Sequence, residues 1–114
     1  MIKDYSCQTG KKIATKGHHK FCVDIVNIKY IQCHGGLTTL FLKNGKQVEE
    51  IKTLKKFEEE LREMGFIRIC RDTIINGKYI TKINTNQGKR VVHLGKIKLN
   101  VAARQLVFLK RELF

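Results

Sequence analysis

The stretch of sequence that decides the fold is Gly65-Phe66-Ile67-Arg68-Ile69-Cys70-Arg71-Asp72-Thr73-Ile74-Ile75-Asn76. Apolar side chains on both sides of a polar centre, Arg71-Asp72, predict two short strands joined by a turn. Arg68 interrupts the first apolar run, so two guanidinium groups lie three residues apart where the strands join. Arginine is almost never fully buried without a partner, and this pair suits a polyanion better than a core.

An amphipathic helix is predicted at about 53–64, immediately before this stretch. Thr53 is a suitable N-cap, and Gly65 stands where a helix commonly ends in a left-handed residue. Apolar side chains between them repeat every three or four residues, at Leu54, Phe57, Leu61 and Met64. The opposite face is charged and rich in glutamate. We therefore expect one face of the helix to cover a sheet and the acidic face to point away from a polyanion.

The rest of the chain consists of short strand-like runs between turn residues. Asn44-Gly45 separates Leu37–Lys43 from Lys46–Ile51, and this dipeptide between apolar runs is a strong hairpin signal. The other predicted elements are an edge strand over 11–16, a strand over 21–32, a hairpin of 79–85 with 89–94, a hairpin of 91–94 with 97–99, and a terminal helix over 102–114.

Charge is the strong signal in the composition. The 114 residues include 23 basic and 10 acidic ones, which gives a net charge of +13. Six of the acids lie between positions 49 and 63, so the other 99 residues carry 19 bases and 4 acids. A field segregated in this way attracts phosphate backbones, whereas a charge that serves solubility alone does not require segregation. A chain of this length forms one domain.

Other chemistries receive little support. No apolar run approaches the roughly 18 residues of a membrane span, and the N-terminus lacks a secretory signal. A zinc site formed by His18, His19, Cys22, Cys33 and His34 would not match any paired spacing of metal ligands. The carboxylates cluster only on the helix, and no phosphate-binding loop or nucleophile elbow is present. We therefore expect no enzyme activity, metal or cofactor.

Three turns contain the candidate binding residues. His34 precedes two glycines, where the backbone can approach a ligand closely, although a lone histidine is commonly just solvated. Arg71 has the geometry for a bidentate contact to guanine, or it pairs with Asp72 or with a glutamate of the helix. Arg104 lies at the start of the terminal helix, where it reaches phosphate or is an ordinary surface arginine.

Six short motifs follow one another along the chain. They are Ile28-Lys29-Tyr30-Ile31, Cys33-His34-Gly35-Gly36, Asn44-Gly45, Thr53-Leu54-Lys55-Lys56-Phe57-Glu58-Glu59-Glu60-Leu61, Phe66-Ile67-Arg68-Ile69-Cys70-Arg71 through Ile75-Asn76, and Asn100-Val101-Ala102-Ala103-Arg104. These motifs and their order resemble the LytTR family of bacterial DNA-binding domains. The resemblance implies a LytTR-like domain over 11–114, preceded by an N-terminal extension over 1–10. Cys70-Arg71-Asp72-Thr73 departs from the His-Arg-Ser-Tyr of the family, and Ala102-Ala103 replaces Ser-Arg. These departures concern which DNA sequence is bound.

The resemblance also implies a fold and a mode of binding. The fold is mainly β, an elongated antiparallel β-sandwich of small sheets with the amphipathic helix and a short C-terminal helix. Double-stranded DNA is bound by loops instead of a recognition helix, in a transcriptional regulator. Carried over residue by residue, the resemblance places His34, Arg71 and Arg104 at base edges. It places Arg68, Lys98 and Asn100 near the DNA backbone.

Partners and location follow as further expectations. Two copies are expected to bind repeated half-sites of the DNA. Family members usually have an upstream receiver domain, for which 114 residues leave no room, so the chain is a stand-alone regulator or a piece of a longer one. A cytoplasmic, nucleoid-associated location is expected, with no membrane partner.

Two other functions remain open. One is a basic RNA-binding or ribosome-associated β-domain, which needs exposed aromatic rings for stacking. Phe41, Phe66, Tyr79 and Phe108 are instead interpreted as core or strand positions. The other is a protein-interaction module, whose binding to a protein partner would be insensitive to salt.

Overall fold

The computed structural model describes residues 12–15 and 21–113, and these residues form ten strands and two α-helices. The strands are β1 (Lys12–Thr15), β2 (Phe21–Asp24), β3 (Ile28–His34), β4 (Leu37–Leu42), β5 (Gln47–Glu50), β6 (Phe66–Cys70), β7 (Thr73–Asn76), β8 (Lys82–Asn84), β9 (Val91–Leu94) and β10 (Ile97–Asn100). The helices are α1 (Leu54–Leu61) and α2 (Ala103–Leu113).

All the strand pairs are antiparallel, and they form three small sheets. The largest has the order β5-β4-β3-β7-β6, the second has the order β10-β9-β8, and β1 pairs with β2 in the third. The principal extents of the molecule are 49, 30 and 25 Å. The predicted elongated, mainly β sandwich with two helices is therefore confirmed.

The five-stranded sheet has a separate apolar core on each face. Because successive side chains of a strand point to opposite faces, Ile74 and Ile75 of β7 enter different cores. The first core lies under α1, which contributes the fully buried ring of Phe57. The second lies between this sheet and the β8–β9–β10 sheet, where Val92 of β9 and Leu109 of α2 are fully buried. The five-stranded sheet, the three-stranded sheet and α2 thus pack together against one face of β6 and β7.

The helical segment before the decisive stretch has the predicted cap residues at both ends, but α1 itself ends at Leu61, three residues before the predicted end at 64. The hydroxyl of Thr53 accepts a hydrogen bond from the amide of Lys56 at 3.2 Å. After Leu61 the chain tightens into a 3₁₀ turn over Arg62–Met64, and Gly65 then takes a left-handed φ of +86°. Because of this tightening, Met64 leaves the apolar stripe on which it was predicted and is 37 % exposed.

Two predicted strands are wrong in their extent. A 3₁₀ turn over Ile25–Asn27 interrupts the predicted strand 21–32, since both Ile25 and Ile28 are buried in the first core. This turn divides the segment between two sheets. The predicted strand 79–85 begins only at Lys82, because the chain first makes a 3₁₀ turn capped by the side chain of Asn76.

The hairpins at Asn44-Gly45 and at 95–96 and the terminal helix are confirmed. The predicted N-terminal extension over 1–10 lies outside the described residues. No helix in the described part of the chain is long and apolar enough to span a membrane.

Candidate nucleic-acid interface

Two of the three predicted binding turns are neighbours in the five-stranded sheet. Strands β3 and β7 are antiparallel partners, with Gln32 opposite Thr73. One residue further along, the amide of Cys33 donates to the carbonyl of Asp72 at 2.9 Å. His34, at the end of β3, therefore lies beside the β6–β7 turn formed by Arg71 and Asp72. Both predicted base-contacting side chains are exposed there.

The third turn reaches the same end of the molecule through the start of α2. The amide of Ala102 donates to the carbonyl of Ile69 at 2.8 Å. Ile69 lies two residues before Arg71, a separation of about 7 Å along a strand. Arg104, the second residue of α2, is exposed. Two backbone hydrogen bonds thus gather the His34, Arg71 and Arg104 turns at one end of the fold.

The β6–β7 turn leaves Arg71 available and engages Asp72. The carboxylate of Asp72 accepts from the thiol of Cys70 at 3.1 Å and from the hydroxyl of Thr73 at 3.0 Å. The Cys70 bond, followed by the Thr73 bond and the nearby His34, lowers the pKa of Asp72. Within the described residues, the guanidinium of Arg71 has no side-chain or backbone acceptor. The structure therefore does not show the alternative in which Arg71 pairs with Asp72 or with a helix glutamate.

Arg68 is the arginine that pairs with the helix. Its Nη1 donates to Glu58 Oε1 of α1 at 2.9 Å, and its Nε donates to the carbonyl of Cys70 at 3.1 Å. Its Nη2 donates to the carbonyl of Arg71. The Arg68 side chain is 25 % exposed. The predicted contact of Arg68 with the DNA backbone stays a prediction, but its guanidinium is already shared among three acceptors.

Lys98 and Asn100 lie on the exposed face of β10, two residues apart. In the register of the sheet, Lys98 is opposite His93, and Lys82 is opposite the same histidine on the other side. Asn100 is opposite Val91, nearer to the end that holds Arg104. Both side chains are exposed, while Leu99 between them packs into the second core. The fold thus presents both predicted backbone-contacting residues to solvent.

A fourth turn lies at the same end, and the sequence interpretation assigned it no role. Residues 85–90 connect β8 to β9 beside Asn100, and Gln87 takes a left-handed φ of +56° within them. The amide of Val101 donates to the carbonyl of Arg90 at 2.8 Å, and Arg90 Nε donates to the carbonyl of Val101 at 2.9 Å. Lys89 is exposed.

One sequence signal could have identified this turn. Positions 73–111 contain nine lysines and arginines and no acidic residue. This segment includes all of β8, β9 and β10, so the whole three-stranded sheet has only positive formal charges. The turn that joins β8 to β9 therefore adds the positive charges of Lys89 and Arg90 to the end of the molecule that holds the His34, Arg71 and Arg104 turns.

In the part of the chain that the structure describes, no three His, Cys, Asp or Glu side chains are grouped so as to hold a metal ion. His18 and His19 of the rejected zinc set lie outside the described residues.

The sequence profile of the LytTr DNA-binding domain family matches residues 18–113. The chain belongs to this family. The resemblance inferred from the motifs is thereby confirmed, and the turns described above belong to a LytTr DNA-binding domain. Comparison with curated proteins gives no match.

A solved structure is similar to this LytTr domain over nearly its full length. It is the LytTr DNA-binding domain of a protein described as a methyl-accepting/DNA response regulator from Bacillus cereus. The TM-score is 0.78 at 18 % sequence identity, with 91 % of this chain and 98 % of the other covered. At this identity the similarity establishes the shared fold.

Proposed function

We propose that this LytTr domain binds double-stranded DNA in a sequence-specific manner through the turns at one end of the molecule, and that it acts as a bacterial transcriptional regulator. The observation that carries the proposal is the gathering of the His34, Arg71 and Arg104 turns by two backbone hydrogen bonds. These exposed side chains lie at strand ends and at the start of a helix, which suits the reading of base edges in a groove.

Each proposed contact follows from the chemistry of its side chain. Arg71 donates two parallel hydrogen bonds to O6 and N7 of a guanine, the commonest specific base contact. His34 donates to a base acceptor, and Arg104 contacts a base edge from the start of α2. Lys98 and Asn100 contact phosphate from the exposed face of β10. Base contacts specify the sequence and phosphate contacts position the domain.

We further propose that the domain belongs to a response regulator and that two copies bind repeated half-sites. Membership of the LytTr family and the fold shared with the Bacillus cereus response regulator support the first point. A receiver domain in the same or a partner polypeptide would supply the signal. Such a regulator works on the bacterial nucleoid in the cytoplasm.

Selection of bound duplexes from a random pool tests the proposed function. We expect the pool to converge on one short sequence that occurs twice at a fixed spacing. Convergence is expected because bidentate side-chain contacts discriminate between bases. A pool that stays random after several rounds of retained binding would contradict sequence-specific binding.

Competition with single-stranded RNA tests the alternative of an RNA-binding domain. The rings of Tyr30 and Phe41 stack on each other with centroids 4.3 Å apart, and both residues are half-buried. Phe108, interpreted from the sequence as a core or strand position, lies in α2 and is 50 % exposed, and the Arg111 guanidinium lies over its ring at 5.6 Å. Among the aromatic side chains whose exposure the structure describes, only Phe108 is exposed, and one ring is less than the set of stacked rings by which RNA-binding β-domains hold successive bases. We expect RNA to compete poorly with the selected duplex.

Replacement of Lys89 by Gln tests the β8–β9 turn as part of the interface. We expect all duplexes to bind more weakly by a similar factor, and the log–log slope of affinity against salt to become shallower by about one unit. The matched control is Lys96→Gln, since Lys96 occupies the turn at the opposite end of the same sheet. Titration of selected and scrambled duplexes at several salt concentrations measures both effects. Equal slopes for the two variants would remove this turn from the interface.

A further inference from the structure

A register shift shapes the strand that precedes the Arg71 turn. On β7, Ile74 pairs with Arg68 and Thr73 pairs with Cys70, so one residue of β6, Ile69, has no partner. Such a bulge locally disrupts the hydrogen-bond ladder and increases the twist of the strand. The carbonyl of Ile69 accepts a hydrogen bond from the amide of Ala102, which links the residue before α2 to this strand. The bulge therefore needs stabilising contacts from outside the ladder.

The side chain of Arg68 provides those contacts on the turn side. Two of its three nitrogens donate to the carbonyls of Cys70 and Arg71, which follow the bulge directly. The third nitrogen donates to Glu58, which holds the guanidinium from α1. A planar guanidinium with fixed donor directions can satisfy three acceptors in this way, and a lysine ammonium cannot reproduce the fork.

We infer that Arg68 is a positioning residue, which braces the β6–β7 turn against α1 and so orients Arg71 toward the base edge. The inference rests on the proposed function, because orientation of Arg71 matters only if Arg71 contacts a base. It assigns Arg68 a role different from the phosphate contact that the sequence predicts. To reach a phosphate, the guanidinium would leave Glu58 and the carbonyls of Cys70 and Arg71.

Removal of the Glu58 carboxylate separates the two roles, because a phosphate contact predicts a change in affinity for every duplex and a brace predicts a change in the ratio of affinities. If Arg68 contacts phosphate, Glu58→Ala frees its charge and strengthens binding to every duplex by more than Glu59→Ala does. If Arg68 is a brace, Glu58→Ala loosens the turn, and the ratio of affinities for selected and scrambled duplexes falls by about threefold to tenfold, which lies in the lower part of the range for coupled residues in one network. The matched control is Glu59→Ala, which changes the net charge equally at an exposed neighbouring position. We expect this control to keep the ratio of the unaltered protein.

A double-mutant cycle tests whether Arg68 acts through Arg71. We expect Arg68→Lys to lower the ratio of affinities for selected and scrambled duplexes when Arg71 is present. In an Arg71→Ala background, we expect Arg68→Lys to leave this ratio nearly unchanged. The non-additivity is expected because the brace has no side chain to orient once Arg71 is shortened. Equal effects of Arg68→Lys in both backgrounds would overturn the inference.

Hydrogen exchange gives a readout that does not depend on DNA. The amide of Cys33 donates across the sheet to the carbonyl of Asp72, so its exchange reports opening of the turn. We expect faster exchange at Cys33 in Glu58→Ala than in Glu59→Ala, and unchanged exchange would overturn the brace. If the unaltered protein shows no preference for any duplex, the proposed function is contradicted and the brace is not. If the unaltered protein shows the preference but Glu58→Ala leaves the exchange at Cys33 unchanged, only the role of Arg68 is contradicted.

Discussion

An increase in salt from about 50 to about 200 mM is expected to weaken duplex binding by about 250-fold to 16,000-fold. This range corresponds to a log–log slope of about −4 to −7, which is expected if the domain neutralises five to eight phosphates. The physical reason is the release of counterions from the duplex when lysines and arginines replace them. The nine bases and no acids of positions 73–111 supply enough charge for this number of contacts. Fluorescence anisotropy of a labelled duplex at a series of salt concentrations measures the slope.

A scrambled duplex and a folding control make the salt experiment decisive. We expect similar slopes for the selected and the scrambled duplex, because phosphate contacts are largely independent of sequence. Thermal unfolding at each salt concentration shows that the fold is retained over the range. An affinity that does not change with salt concentration would contradict nucleic-acid binding as the main activity. It would favour a protein-interaction module, for which salt-insensitive binding is the expected behaviour.

Local signals predicted the elements that depend on neighbouring residues. Asn44-Gly45 predicted its hairpin because the turn chemistry lies in the residues themselves, and Thr53 and Gly65 predicted both ends of the helical segment for the same reason. The 3₁₀ turn at Ile25–Asn27 was missed. The apolar run there has no strong turn signal. The turn allows Ile25 and Ile28 to be buried in the same core, which is a tertiary effect that neighbouring residues do not reveal.

The sequence indicated which turns form the candidate site, but it did not show which of their side chains form ion pairs. Turn residues and charge pointed to the turns that contain His34, Arg71 and Arg104, and all three side chains are exposed at one end. The sequence could not show which arginine of the decisive stretch pairs with the helix. The pairing depends on how α1 lies across β6, and this packing places Glu58 beside Arg68 and not beside Arg71. The packing of α1 against β6 therefore distinguishes two arginines that look equivalent in the sequence.

The Asp72 carboxylate bears on what Arg71 can contact. Its pKa is lowered, first by the bond from Cys70, so it is ionised at neutral pH. A carboxylate in the same turn repels phosphate, which makes this turn a poor place for a contact with the DNA backbone. A base edge carries no formal charge, and a guanine offers Arg71 two acceptors. The arrangement thus favours a base contact for Arg71 over a phosphate contact.

Replacement of Arg71 by Ala is expected to cost about 1–3 kcal/mol on the selected duplex, or about 5-fold to 160-fold in affinity, and to relax the preference at one base pair. Arg71→Lys is the matched control, because it keeps the positive charge and loses the bidentate fork. We expect both variants to lose the preference at that base pair, and Arg71→Lys to bind scrambled duplexes as well as the unaltered protein does. Selection with each variant identifies the position, and anisotropy measures the affinities. Equal weakening of selected and scrambled duplexes by Arg71→Ala would make Arg71 a phosphate contact. No change on either duplex would remove the β6–β7 turn from the interface.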